Sequence, residues 1–528
     1  MKSGACAMRT MRRSAGSVVR RALALAVALA LVAAHPTAGA DDAAVPWPTA
    51  GWATSTPEAQ GVSSDALAEL VDFGAANAMD SLLVVRHGRI VVDAYYAPFR
   101  PGMRHLVNSV TKAVVGTLAG VAVQRGDLAS IDEPVLESFR WRSVAESDGA
   151  KRSLTIAHLL DMTSGLAWNE PLTAAPPETM LQMERSADWV GFVLDRPMAQ
   201  PPGTIFNYDS GDWHLVSAIL TRKTGVDMLD YARRTLFGPL GITDASWRAD
   251  PQGIRTGGFG LSLQPRDMAK IGYLYLHHGE WAGQRILPAA WVDRVFHASV
   301  DMRLGTTPRF AYASGWWTVP ERHAYLAVGF LRQLIIVLPD ADMVAVVTGK
   351  RHYPFLPLID RLAAAARAPT GLPSDAAASA RLAERVRDAA IEKPTAVAAA
   401  SPLADAISGR TWRFEPNPAG VRSLRLDLAG SEPRYRVEFE SRRPGTAARP
   451  TEGPIGLDGF ARTSDDGAGL LLAVQGRWLS EDTFEIVSHS VTEGIVNRAR
   501  LTFHDREVEA TLDANAGYSA RLHGQRVD

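Results

Sequence analysis

Ser109-Val110-Thr111-Lys112 opens the run SVTKAVVGTLAGVAVQRG, whose apolar residues predict a buried helix closed by Gly126. Residues three apart on a helix share one face. A serine hydroxyl attacks carbonyls only weakly until a base removes its proton, and a lysine amine shielded from water is such a base. Backbone amides at the helix N-terminus favour the negative charge that then develops. Alone the motif is weak: thirty serines and six lysines in the 488 residues after position 40 give about one chance match in three such chains.

Ninety-nine residues on, Tyr208-Asp209-Ser210 follows the Pro-Gly turn of PPGTIFNYDSGDWHLVSAIL and precedes an amphipathic helix. A loop so placed can point into a cleft. A phenol has a pKa of about 10, but a nearby ammonium stabilises the phenolate, so Tyr208 beside Lys112 could shuttle protons. The competing reading is a core tyrosine, one of eleven.

The elements that must hold these residues form one stretch. Mixed helical and strand patterns run from about Trp47 to Arg367, so residues 41–367 read as one large domain. Residues 368–403 are Ala-rich and Pro-punctuated, with a charged helical patch near Ala380–Ile391, and read as a linker. Residues 404–528 hold short alternating runs such as Ser423–Leu428, Tyr435–Glu440 and Arg498–Phe503, the pattern of an antiparallel β domain, barrel-like in size.

Five segments, HLVNSVTKAVVGTLAG, LTIAHLLDMTSGLAWNE, FNYDSGDWHLVSAIL, LFGPLGITDASW and GGFGLSLQPRDMAKIG, resemble in order the serine β-lactamase and penicillin-binding-protein superfamily. The likeness spans about Glu58 to Arg367 and falls in the class C-like branch with esterases and 6-aminohexanoate-dimer hydrolases. MTSGLAWNE looks especially like the dimer hydrolases. The resemblance implies an α+β fold: an antiparallel sheet flanked by helices, an all-helical subdomain, and an active site between them. It implies Ser109 as nucleophile, Lys112 as its activating partner and Tyr208 as general acid/base, with Ser210 standing where Y-x-N has asparagine. It also implies an oxyanion hole from the backbone N–H groups of Ser109 and Phe330.

The chief departure falls at the third motif, where lactamases carry K-T-G on an edge strand and this chain reads Ala327-Val328-Gly329-Phe330. Alanine cannot meet a β-lactam carboxylate with a charge-assisted bond, which argues against lactamase or carboxypeptidase work. Arg332 could partly replace the lysine, and the bulk of Phe330-Leu331-Arg332 suggests narrower access. Gly329 and Ser210 join it as expected substrate-binding positions. Trp168, Trp213, Trp316 and Trp317 could line an acyl pocket, foremost Trp168, though tryptophans are more often packed in cores. Glu170 could bind a substrate amine, but reads better as a solvated loop carboxylate.

Other chemistry has less support. His105 and His277-His278 lack metal-ligand spacing, so no metal is expected, and no G-x-S-x-G elbow appears. No cofactor is required. Lys and Arg total 56 against 57 acids, and the first forty residues hold six of the bases and no acid, leaving 50 minus 57, or minus 7. Nucleic acid is therefore not an expected partner. The N-terminus itself reads as a secretory signal: arginines, an apolar stretch Ala22–Ala34, and the small-residue site Ala38-Gly39-Ala40. Thirteen apolar residues fall short of the roughly 20 that span a bilayer. Export to the periplasm or medium is expected, by the general or, given Arg12-Arg13 and Arg20-Arg21, the twin-arginine route. The only cysteine, Cys6, lies in this leader.

The sequence thus reads as an exported serine hydrolase acting on small esters or amides through an acyl-enzyme. Two alternatives stay open: a β-lactam or cell-wall peptide hydrolase, and a catalytically silent ligand-binding or sensor protein.

Overall fold

The computed structural model describes residues 46–147, 149–172, 176–440, 450–465 and 469–527. The expected export leader, with Cys6, lies outside the described residues. Among the described residues no helix is long and apolar enough to cross a membrane.

The larger domain is built on a nine-stranded sheet, antiparallel except at one edge. Its main strands are β1 (Met79–Arg86), β2 (Arg89–Tyr95), β3 (Ala311–Ala313), β4 (Trp316–Val319), β5 (Ala324–Gly329), β6 (Gln333–Leu338) and β7 (Met343–Gly349). Their order is β2-β1-β7-β6-β5-β4-β3, with Ala53–Thr54 beyond β2 and Val300–Asp301 beyond β3. Every residue of β5, β6 and β7 is buried, which is why they read as apolar runs such as LIIVL rather than alternating patterns.

Helix α1 (Ser64–Ala76) starts at Ser63, whose hydroxyl accepts the Ala66 N–H, and packs beside β1. Between Val110 and Phe237 the described chain forms helices and no strand, the helical subdomain that the resemblance implied. Its centre is α2 (Val110–Arg125), buried at every position from Val110 to Ala122 and closed by Gly126 in the left-handed conformation at φ 78°. Against α2 lies α3 (Ser210–Thr224), and α4 (Pro265–Leu276) covers β6 and β7.

The segment expected as a linker holds α5 (Ala376–Ala389), capped by Asp375, whose carboxylate accepts the Ala378 N–H. Ala378, Leu382 and Val386 recur every four residues and seat the helix on α1, where Arg381 meets Asp65 at 2.7 Å and Arg385 meets Asp72 at 3.2 Å. Alanine-rich composition concealed an amphipathic stripe.

Beyond it, ten strands from Arg410–Phe414 to Ser519–Arg526 form an antiparallel barrel-like sheet. Its alternation is the one the sequence displays: Leu424 and Leu426 point inward to Trp412, Phe484 and Phe503, while Arg422 and Arg425 point out. Ser464 rests against Gly453, drawing the two end strands together.

Candidate active site

Ser109 sits at the start of α2, yet its side chain caps nothing: its backbone is helical (φ −69°, ψ −6°), so the Oγ is left for other work. Asn108 before it is left-handed at φ 49°, a costly conformation for a non-glycine residue, and throws the chain from the short strand His105–Leu106 into the helix. That strand pairs with Leu261–Leu263, and the Val107 N–H donates to the Leu261 carbonyl at 2.9 Å. The Ser109 segment is thereby held on both sides.

One turn on, Lys112 is only 2% exposed, and its Nζ donates to Ser109 Oγ (3.0 Å), Ser210 Oγ (3.0 Å) and the Gly258 carbonyl (2.8 Å). Gly258 has to be glycine here: a Cβ would stand 2.8 Å from that of Ser210. Burial drives the lysine down to about 8, against the opposing pull of Glu170 and Asp209. At pH 7 roughly one molecule in ten then holds it neutral, against fewer than one in a thousand for an ordinary lysine.

Tyr208 is brought in by a pinned loop: the Asn207 N–H donates to the Met162 carbonyl (2.9 Å) and its Nδ2 to the Trp168 carbonyl (3.0 Å). The Tyr208 hydroxyl faces the Ser109 side, where the serine slightly favours the phenolate, and Lys112 Nζ lies 4.7 Å from the ring centroid. This corrects one expectation. The cation sits over the face of the ring rather than at its oxygen, and burial, reinforced by Glu170, raises the phenol above its ordinary range, so Tyr208 rests as a neutral donor and not a phenolate.

Ser210 and Glu170 also stand elsewhere than expected. Ser210, 1% exposed, gives its hydroxyl proton to Glu170 Oε1 (2.7 Å) while accepting from Lys112, which places it inside the cluster and shields it from solvent. Glu170 is no solvated carboxylate: its Oε2 accepts from the Ser210 N–H (2.8 Å) and Trp168 Nε1 (2.7 Å). Trp168 packs against Phe192 and orients Glu170. Trp213 and Trp316 are fully buried and Trp317 nearly so, which leaves them in the core.

Sequence reading missed the carboxyl pair behind this cluster. Asp209 caps α3, its Oδ1 accepting the N–H groups of Gly211 (2.6 Å) and Asp212 (3.0 Å), and the Asp212 carboxyl lies buried beside it with no hydrogen-bond partner among the described residues. Burial pushes both well above the carboxylate range, Glu170 raising Asp209 further and Asp209 raising Asp212. Two adjacent buried carboxyls cannot both ionise, so the pair keeps a proton. The signal available was D-x-x-D at a helix start, which capping alone explains.

Phe330 follows β5, which lies inside the sheet between β4 and β6 rather than at an edge, with Ala327 fully buried opposite Ile335. Gly329 passes so close to the Ser109 segment that a Cβ would meet the Val107 carbonyl at 2.5 Å, a packing role. Asn108 Nδ2 donates to the Phe330 carbonyl (3.2 Å), and the amides of Ser109 and Phe330 have no hydrogen-bond acceptor among the described residues. The bulk expected to narrow the cleft is dispersed: Leu331 is buried, and Phe330, 42% exposed, stacks edge-on with His352. Arg332 is not free to replace the missing lysine, since its Nε donates to the Tyr353 carbonyl (2.6 Å) and its guanidinium lies 5.0 Å from the Phe355 ring centroid.

Set against known proteins, residues 29–368, more than half the chain, match the Beta-lactamase family model. A 6-aminohexanoate-dimer hydrolase from Paenarthrobacter ureafaciens is 27% identical over 289 residues, 51% of this chain and 71% of that protein. Esterase EstB from Burkholderia gladioli is 29% identical over 190 residues, 32% of this chain, and less than half of that relative's length is spanned. In fold, a solved Bacillus anthracis structure provisionally designated a 6-aminohexanoate-dimer hydrolase aligns at a TM-score of 0.50 and 20% identity, covering 61% of this chain and 86% of that one. With that family match over the residues that carry the Ser109–Lys112–Tyr208 cluster, the chain belongs to the Beta-lactamase family.

Proposed function

We propose that the protein is a serine hydrolase that forms an acyl-enzyme on Ser109 from a small ester or amide and releases the acyl group to water. The observation that carries this reading is the buried Lys112 amine, 3.0 Å from Ser109 Oγ and lowered to about 8. In its neutral form the amine takes the hydroxyl proton as Oγ attacks the carbonyl carbon. The free amides of Ser109 and Phe330 receive the oxyanion. Tyr208, kept protonated by burial, gives its proton to the departing alcohol or amine, and the Lys112 ammonium returns a proton to the phenolate. Water then attacks the ester, the same two groups take its proton, and Ser109 Oγ leaves with a proton restored. Ser210 and Glu170 hold the amine in place.

The relatives' names include a hydrolase of an amide dimer and an esterase, which supports ester or amide substrates here. Against β-lactams stand the buried Ala327 and the engaged Arg332, which leave a lactam carboxylate without its usual cation. Losing a charge-assisted bond costs about 1.5 to 3 kcal/mol, roughly ten- to hundred-fold in kcat/KM. Export to the periplasm or medium is part of the same proposal and rests on the leader sequence; cell fractionation checks it. The test of function is a panel of p-nitrophenyl butyrate, short linear amides and nitrocefin on the wild type and Ser109→Ala. Ester or amide turnover well above nitrocefin, abolished in the variant, is expected. Nitrocefin turnover equal to the ester would reverse the preference, and wild-type turnover in Ser109→Ala would remove the nucleophile. A wild type inert on the whole panel would favour the silent, ligand-binding reading.

A further inference from the structure

The C-terminal barrel reaches the walls of the cleft through the turn that joins its strands Thr483–Ser490 and Ile495–His504. Val491 of this turn is fully buried in an apolar cluster with Tyr95 and Phe99 of the larger domain. The next residue offers its carbonyl to the Leu106 N–H at 2.7 Å, three residues before Ser109. Gly494 then comes so near Gly349, the last residue of β7, that a Cβ would meet the Gly349 carbonyl at 2.6 Å.

Gly349 is in turn tied to the other wall. Gln333 accepts the Gly349 N–H at 3.1 Å, and its Nε2 donates both to the Gly349 carbonyl (2.8 Å) and to the Phe330 carbonyl (3.2 Å). One barrel turn is thus one step from the Ser109 segment and three steps, through Gly349 and Gln333, from Phe330. Asn515, from the neighbouring barrel hairpin, locks the turn in place. Its Nδ2 donates to the Lys350 carbonyl (2.6 Å) and the Gly494 carbonyl (2.7 Å), and its Oδ1 accepts the Val496 N–H (3.0 Å).

We infer that the barrel sets the geometry of the oxyanion hole, with Asn515 as the positioning residue that fixes the 491–494 turn against Leu106 and Gly349. Donors aimed at a developing oxyanion lose effect over fractions of an ångström, so a shift of either wall weakens the transition state and leaves ground-state binding nearly untouched. The inference rests on the assignment of the Ser109 and Phe330 amides as that hole.

The experiment uses the full chain with p-nitrophenyl butyrate and a butyl boronic acid, whose boron becomes tetrahedral on Ser109 Oγ. Asn515→Asp retains the acceptor for Val496 and removes both donors; Gly494→Ala pushes the turn off Gly349. Both are expected to lower kcat about tenfold or more, with KM within about twofold, and to weaken boronate binding by the same factor. The pH of half-maximal kcat/KM stays where the wild type has it, because Lys112 is not touched. Arg436→Ala, on a barrel wall paired with Glu452 and Glu438, leaves all of these unchanged. Should either variant fail to fold, the other carries the test, and Asn515→Ser stands in if both fail. Unchanged kcat and boronate affinity in folded variants, beside an inactive Ser109→Ala, would overturn the positioning role and leave the nucleophile standing. A wild type that neither turns over ester nor forms the boronate adduct on Ser109 would overturn the site assignment and this inference together.

Discussion

The residues proposed to react are few and their charges are coupled. Lys112 is driven down by burial and held up by Glu170 and Asp209, so the fraction of neutral amine is set by a balance. If the amine must be neutral to act, kcat/KM rises with pH and levels off above about 8. Glu170→Gln removes one of the charges that favour the ammonium, so the rise should move to lower pH, while kcat falls because one amide oxygen cannot accept all three donors that the carboxylate holds. A pH–rate profile for wild type and variant checks both, and an unmoved midpoint would detach Glu170 from the lysine. Tyr208 is the other test at this scale. Tyr208→Phe keeps the ring under the Lys112 cation but has no proton to give, so kcat is expected to drop by about 10² to 10⁴ with KM much less affected. Near-normal turnover would reduce it to packing.

At the scale of elements, the cluster exists because two helix starts and two loops converge. α2 supplies Ser109 and Lys112, the cap of α3 supplies Tyr208 and Ser210, and the Gly257-Gly258 loop closes over the amine because it carries no side chains. α5 belongs to the same construction from the outside, resting on α1 through Ala378 and Leu382. Leu382→Ala should therefore cost about 2 to 4 kcal/mol in urea or thermal unfolding, the usual range for a buried leucine. A free linker would lose less than about 0.5 kcal/mol. The exposed Arg381–Asp65 and Arg385–Asp72 pairs contribute little by comparison.

Across the whole molecule, the seam between the two domains carries a buried charge cluster. Asp80 accepts from Lys350 at 2.6 Å and lies 3.2 Å from His105, while His489 of the barrel is buried beside them. Burial drives His489 down to about 4, with Lys350 and His105 adding to the effect and Asp80 opposing it. Because its folded value is below the unfolded value of about 6.5, its contribution to stability is complete above pH 6.5 and is lost as pH falls through 4. Asp80 acts in the same direction: burial would raise it, but Lys350 and His105 prevail and hold it well below the carboxylate range. The seam should thus weaken between pH 6.5 and 4 by on the order of 3 kcal/mol from His489 alone. Thermal unfolding measured across that interval, for wild type and His489→Gln, is expected to show a steeper acid loss in the wild type. Parallel curves would exclude the histidine.

Local chemistry was legible wherever a residue's role depends on its near neighbours along the chain. Ser109 and Lys112 share a helix face because they are three apart, Gly126 ends that helix because it can turn left-handed, and the barrel strands alternate because a pleat has two sides. The family followed from five such segments in order. Tertiary structure decided what depends on groups far apart in sequence: the phenol of Tyr208 stays protonated because packing buries it beside Glu170, and Ser210 gives its hydroxyl proton to Glu170, forty residues back. Arg332 is engaged by Tyr353, twenty-one residues on, so that its charge does not serve the cleft. Residue type and spacing determine which groups can react, whereas burial, a property of the packed whole, decides their protonation and their partners.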